Sequence, residues 1–132
     1  MKMKLIATLG MMSVCVPFLR AETVYEGLLQ EGRAAMNRGQ LTEAIKVFSS
    51  AISQSPERFE GYYYRGNAYL RGGTSSTQRG MEESIKQSIE DFNEAIKLKP
   101  DSADAFYSLG MAHLNLGEAT KAETCLKKAC AL

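Results

Sequence analysis

Glycine, phenylalanine, alanine and proline recur in this chain at two intervals, 34 and 44 residues. The way those intervals alternate constrains the fold more than any other feature. Gly32 and Gly66 lie 34 apart, as do Gly39 and Gly73, whereas Gly66 to Gly110 and Gly73 to Gly117 are each 44. Further into the unit the order reverses. Phe48 to Phe92, Ala51 to Ala95 and Pro56 to Pro100 are each 44, while Phe92 to Leu126 and Ala95 to Ala129 are each 34. One insertion of ten residues, after Gly73 and before about Ile85, accounts for all of them. The chain therefore reads as three copies of one unit, at about 25–58, 59–102 and 103–132. The last is slightly shortened, and the middle one carries its insertion near 74–83. A fixed period of this length marks a solenoid, in which each unit buries its apolar face only against its neighbours.

Within a unit the apolar residues fall at helical steps of three and four. Leu28, Ala35 and Met36 lead up to a turn at Arg38-Gly39. Leu41, Ala44, Ile45, Phe48, Ala51 and Ile52 form a second run that stops at Ser55-Pro56. The last unit repeats this with Phe106, Leu109, Leu114 and Leu116, then Ala119, Ala122, Leu126 and Ala129. Gly32, Gly66 and Gly110 fall in mid-helix, where glycine costs about 1 kcal/mol against alanine. That cost is tolerable where a partner helix must come close. Ala44, Ser88 and Ala122 are the small residues expected opposite these glycines, with Phe48, Phe92 and Leu126 filling the wider gap one turn on. In the middle unit the stripe Met81, Ile85, Ile89, Phe92 and Ile96 starts the second helix early. This places Glu82 and Glu83 in the first turn, near the favourable end of the helix dipole. Gly72 to Gly80 is then left as a loop.

This pattern resembles the tetratricopeptide repeat family. The first copy carries the likeness at Gly32, Ala44, Phe48, Ala51 and Pro56, and the third at Leu109, Gly110, Ala122 and Ala129. The middle copy matches at Tyr62, Gly66, Tyr69, Phe92, Ala95 and Pro100, but has Ser88 where an alanine is usual. The resemblance spans Tyr25 to Leu132. It implies an all-α fold, a right-handed superhelical array of antiparallel helix pairs whose first helices line a concave face. It also implies a non-catalytic module that binds a peptide or protein segment there. Carrying the family's groove positions across gives Leu29, Arg33, Met36 and Asn37 in the first copy. Tyr63, Asn67, Leu70 and Arg71 follow in the second, and Tyr107, Met111, Leu114 and Asn115 in the third. Tyrosine and methionine offer adaptable apolar contact, arginine a grip on carboxylates, and asparagine a partner for peptide backbone. Some members clamp the acidic tails of chaperones with basic and asparagine residues. Here Leu29 stands where the clamp lysine is expected, and Asp104 adds a negative charge near the third-copy part, so a chaperone tail is not the expected ligand.

Residues 1–21 stand apart from the repeats. Lys2 and Lys4 form a basic head, Leu5 to Leu19 runs fifteen residues without a charge, and Arg20 ends it. At ~1.5 Å rise per residue that run spans about 22 Å, short of a ~30 Å hydrocarbon core. A basic head before a short apolar run reads as an export signal or other membrane-targeting segment, with 22–132 as the repeat domain. The expected location is periplasmic or secreted, and membrane-associated if the leader is retained. Ala21 is a small residue suited to cleavage, although Leu19 two before it is not. The run Met12 to Cys15 faintly resembles a lipid-attachment site, against which Val14 is too bulky and Pro17 follows closely.

Charge and side-chain inventory exclude several functions. The chain has 16 basic and 15 acidic residues, and without residues 1–21 the balance is 13 against 15, a net charge of −2. With no long basic run, nothing offers a stripe to neutralise phosphates, and no nucleic-acid partner is expected. His113 is the only histidine and sits in a slot held by Ala35 and Tyr69 in the other copies. It reads as a packed ring, and no metal or cofactor is expected, since zinc takes about four ligands. Cys125 and Cys130 are five apart, ~7.5 Å of helical rise and off one another's face, so free thiols or an intermolecular bridge are expected. Glu82-Glu83, Glu90-Asp91, Asp101 and Asp104 read as solvated helix faces. Ser75, Ser76 and Thr77 lack an activating base, and the stretch from Arg71 to Gly80 lacks a phosphate-loop lysine. An enzyme is not expected.

The far end of the repeats suggests a rival role. Solenoids close with a polar-faced helix, yet Leu126, Ala129 and Leu132 keep the final helix apolar. A structural subunit that oligomerises, or docks through this C-terminal face, is the alternative expectation.

Overall fold

The computed structural model describes residues 2–72 and 76–132, with side chains from Arg20 onward. Its helices pair off in chain order. The first hairpin is α1 (Lys2–Asn37) with α2 (Leu41–Gln54) and the second is α3 (Phe59–Leu70) with α4 (Gln78–Leu98). The third is α5 (Ala103–Asn115) with α6 (Ala119–Ala131). α2 packs on α3 and α4 on α5, so the hairpins stack in sequence as an all-α solenoid of antiparallel pairs.

The first and third turns are built alike. Gly39 and Gly117 hold φ of +74° and +75°. The Gly39 and Gln40 amides donate to the carbonyls of Met36 (3.0 Å) and Ala35 (2.9 Å). Gly117 and Glu118 repeat this on Leu114 (2.9 Å) and His113 (2.9 Å). This closure satisfies carbonyls left unpaired at a helix end, and it needs a left-handed residue that glycine supplies without steric cost. α2 and α4 stop just before Pro56 and Pro100. Ser102 then caps α5, its Oγ accepting from the Ala105 amide at 3.3 Å.

Phe48 and Phe92 are both fully buried, and each ring lies over a mid-helix glycine of the partner helix. A Cβ at Gly32 would sit 2.4 Å from Phe48 Cε1, and one at Gly66 would sit 2.8 Å from Phe92 Cε1. At Gly110 it would lie 2.9 Å from Leu126 Cγ. The glycines therefore make room for the large residues directly. Ala44, Ser88 and Ala122 are fully buried as well, and at Gly110 the Ala122 carbonyl oxygen lies 3.3 Å from the would-be Cβ. A ring can lie against bare backbone only where no side chain lifts it off, which is why the spacing of glycine and phenylalanine is kept between copies.

The insertion is spent largely on helix. α4 has 21 residues against 14 in α2. Ile85 is the register equivalent of Leu41, so Gln78–Ser84 is extra helix. Thr77 starts it, its Oγ1 accepting from the Gly80 amide at 3.2 Å. This corrects two expectations: residues 78–80 are helical rather than loop, and Glu82 and Glu83 fall beyond the first turn, which holds no acid. The capping threonine, not the apolar stripe, sets the start. Gly73 to Ser75, part of the expected loop, lie outside the described residues, Thr74 and Ser75 among them belonging to the 74–83 insertion, as do the side chains of residues 1–19.

α1 runs unbroken from Lys2. Residues 20–24 are exposed and Tyr25 is the first buried side chain. Tyr25 ties the first hairpin to the second. Its hydroxyl accepts from the Gly61 amide at 3.1 Å and faces Glu60 Oε2 at 3.5 Å. The Arg58 guanidinium covers its ring at 4.2 Å while pairing with Glu26 (2.9 Å) and Glu60 (3.2 Å). Among the described residues no helix is long and apolar enough to cross a membrane.

Candidate functional site

Stacking the first helices side by side leaves a cleft between α1 and α3. It encloses about 260 Å³ and is lined by Arg33, Met36, Asn37, Tyr63, Tyr64, Asn67 and Arg71. Its floor is fixed from below. Tyr64 stacks on the buried Phe48 with ring centroids 5.6 Å apart, and Tyr63 lies 5.3 Å from Tyr64 and 6.3 Å from Phe92. Two core rings thus hold two groove rings in place. Arg33 lies over the Tyr64 ring at 5.3 Å, a cation–π contact that orients the guanidinium along the wall. The Asn67 amide donates to the Tyr63 carbonyl at 3.0 Å, and its Oδ1 accepts from Ser108 at 3.4 Å. That leaves one amide hydrogen directed elsewhere.

The electrostatics have one sign. No carboxylate lines the cleft, and among the described residues neither Arg33 nor Arg71 has an acidic partner. Two unpaired guanidinium groups beside aromatic faces can hold a carboxylate in a two-pronged grip while apolar atoms rest on the rings.

Six of the twelve expected groove residues meet in this cleft: Arg33, Met36, Asn37, Tyr63, Asn67 and Arg71. Leu29 does not line it. It is 6% exposed and packs in the core with Tyr25 and Phe48, so its place in the groove is corrected to a core role. Met36 is also largely buried and reaches the cleft only as floor. Leu70 and Asn115 line a second hollow of about 320 Å³ with Tyr69, Gly72, Met81, Ser84 and Ile85. Met111 is half-buried, whereas Tyr107 and Leu114 are exposed. In two columns, Leu29–Tyr63–Tyr107 and Met36–Leu70–Leu114, exposure rises from the first copy to the third, because a following hairpin covers the earlier first helices and α5 has none among the described residues. Tyr64 is a groove residue that the sequence does not mark. Its equivalents are Gln30 and Ser108, so it carries no periodic signal.

Asp91 departs from the sequence reading. It is buried, and Arg65 holds it by Nε–Oδ2 at 2.8 Å and Nη2–Oδ1 at 2.7 Å, while Nη1 reaches Ser49 Oγ at 3.1 Å. Burial pushes the Asp91 carboxyl up, and the guanidinium pulls against that shift. Glu90 beside it is exposed, as expected. His113 is buried in its slot, with Nδ1 2.6 Å from Glu118 Oε2 across the third turn. Lys121 first, then His113, hold the Glu118 carboxyl below its usual range. Cys125 is half-buried and Cys130 exposed, both free thiols, and burial pushes the Cys125 thiol up. Among the described residues no three potential ligands gather as a metal site would require.

The C-terminal face is partly open. Leu126 rests on Gly110 and is half-buried, as is Ala129, while Leu132 is 51% exposed. Ala122 is the one fully covered residue of α6.

Sequence and structure comparisons agree on the architecture. A family profile described as TPR repeat matches residues 32–73 and 82–117, and a second, described as tetratricopeptide repeat, matches 103–132. Among curated proteins, none matches the chain. The fold is similar to that of a thermophilic TPR protein of Thermus thermophilus (TM-score 0.75, 24% identity, 82% of this chain and 56% of that one). The chain thus spans little more than half of that protein. It also resembles the second TPR of Spaghetti (RPAP3) bound to an HSP90 peptide (TM-score 0.72, 18% identity, 86% and 97%). A third likeness is to the TPR2B domain of yeast Sti1 in a complex with pHsp70 (TM-score 0.71, 23% identity, 81% and 78%).

Proposed function

The chain belongs to the tetratricopeptide repeat family, and we propose that it is a non-catalytic module holding an extended peptide or protein segment in the cleft between α1 and α3. The observation that carries this is the pair Arg33 and Arg71, free of acidic partners, set beside the anchored rings of Tyr63 and Tyr64. The ligand is a segment that brings a carboxylate to the arginines and lays apolar atoms on the tyrosines. RPAP3 and Sti1, which share the fold, are seen with an HSP90 peptide and in a complex with pHsp70. A chaperone tail held by a charged clamp is not the ligand expected, since Leu29 is buried and supplies no clamp charge. The test is affinity capture with residues 22–132, wild type beside Arg33→Glu. Partners lost on charge reversal support the groove; a capture profile identical in both overturns it.

The partly open face of Leu126, Ala129 and Leu132 favours a second reading, a structural subunit that pairs or docks there. That reading requires residues 22–132 to sediment as a dimer or larger, and to dissociate on Leu132→Glu.

We propose further that residues 1–21 act as an export leader, which puts the domain in the periplasm or outside the cell. Support comes from the basic head and short apolar run, and from the exposed stretch 20–24 ahead of Tyr25. Amino-terminal sequencing of protein recovered from its native host tests it. An intact Met1 in a soluble cytoplasmic fraction would refute it, and an intact leader in the membrane fraction would mean retention as an anchor.

A further inference from the structure

The ten inserted residues build something the repeat unit does not have. Their helical part, Gln78–Glu83, carries Met81 out beyond the end of the ordinary second helix. There Met81 and Ser84, with Ile85 below them, face Tyr69, Leu70 and Gly72 from α3 and its end, and Asn115 from α5. The result is a hollow of about 320 Å³, lined mainly by apolar atoms. Met81 is 51% exposed, an unusual state for the head of an apolar stripe whose other members, Ile85, Ile89 and Ile96, pack on the Phe92 core. In the first hairpin α2 begins at Leu41 and no such wall stands.

The hollow adjoins the arginine cleft. Arg71 lines the cleft and Leu70, its chain neighbour, lines the hollow, so the last turn of α3 separates the two. Crossing one helix is about 10 Å, which an extended chain at ~3.3 Å per residue covers in roughly three residues.

We propose that the helical part of the insertion walls a second subsite of the groove, taking one apolar side chain of a partner segment whose carboxylate lies on Arg33 and Arg71 about three residues away. This rests on the groove reading above and deepens it. The two subsites are complementary to the two ends of such a segment. The cleft has cationic groups without acids, and the hollow has apolar walls closed on the α5 side by the polar Asn115. A flexible methionine at the rim suits an apolar side chain of variable shape.

The test is selection of a random heptapeptide phage library on residues 22–132, with Met81→Glu and Arg33→Glu selected in parallel and folding checked by circular dichroism. Wild type is expected to enrich an acidic residue and a large apolar one about three positions apart. Met81→Glu is expected to keep the acidic preference and lose the apolar one, and to weaken a synthetic consensus peptide about tenfold, the scale of one buried apolar side chain. Arg33→Glu is expected to lose both. An acidic consensus with no apolar position, or one unaltered by Met81→Glu, overturns the second subsite and leaves the groove standing. Enrichment indifferent to Arg33→Glu, or none at all, overturns the groove and this inference with it.

Discussion

Arg65 on α3 and Asp91 on α4 meet in a two-pronged ion pair, 2.8 and 2.7 Å, in which the carboxylate side chain is 6% exposed. The register shows what the pair replaces. Asp91 falls in a column with Val47 and Cys125, and Arg65 in one with Glu31 and Leu109. The third copy places Leu109 and Cys125 at these positions, both belonging to one apolar cluster. A buried pair gains little over apolar residues of similar volume, yet breaking it leaves a charge without a partner. Arg65→Leu alone is expected to cost about 3–5 kcal/mol in urea denaturation. The double change Arg65→Leu with Asp91→Val is expected to recover most of that loss. A double variant as unstable as the single one would show that the pair itself is needed.

That same column shows how far the sequence can be read. Three hairpins, their turns and the burial of Phe48 and Phe92 follow from positions that repeat, because equivalent surroundings select equivalent residues. What the register misreads lies where one copy departs from the others. Asp91 reads as solvated because Glu90 beside it is acidic, although its column is otherwise apolar, and that column is the available signal. Equivalence with Tyr63 and Tyr107 places Leu29 in the groove, but the successive helices cover the first copy and leave the third open. Tyr64 is invisible in the register because its role depends on stacking between hairpins, which no single column records.

The mid-helix glycines divide by what faces them. Gly32→Ala would drive a Cβ to 2.4 Å from Phe48, and the ring is held by the core on its other side. Overpacking of this kind costs roughly 1–3 kcal/mol, against which the gain in helix propensity of about 1 kcal/mol is too small. Gly27, on the same helix, has nothing within 4 Å of its would-be Cβ. Gly27→Ala is expected to stabilise by about 0.5–1 kcal/mol. Thermal denaturation of the two variants should move in opposite directions; a shared direction would contradict the assignment of Gly32 to the Phe48 contact.

Tyr25 makes stability depend on alkali. Desolvation first, then the Glu60 charge, pushes its phenol from 10.0 up to about 12. Below pH 10 the hydroxyl is protonated in both states. Between about pH 10 and 12 the unfolded chain releases a proton that the folded one keeps, so stability falls as pH rises, by about 1.4 kcal/mol per pH unit. The loss totals roughly 2–3 kcal/mol across the window. Comparing urea denaturation at pH 9 and pH 11 should show a steeper decline for wild type than for Tyr25→Phe. Equal declines would mean that other tyrosines carry the effect.

Met36 and Leu114 are apolar residues of one column of the repeat, and a following hairpin covers the first but, among the described residues, not the second. Met36 is 8% exposed and Leu114 is 45% exposed. If the chain works alone as a groove, Met36→Ala should cost about 2–5 kcal/mol, and Leu114→Ala should stay within about 0.5 kcal/mol. If a second copy covers α5 and α6 in solution, Leu114 becomes a buried residue of the assembly and its truncation must cost stability in a concentration-dependent way. Denaturation of Leu114→Ala at two protein concentrations, beside sedimentation of Leu132→Glu, therefore separates the two roles without knowledge of the partner. Small, concentration-independent effects leave Tyr107 and Leu114 available as the open end of the recognition surface.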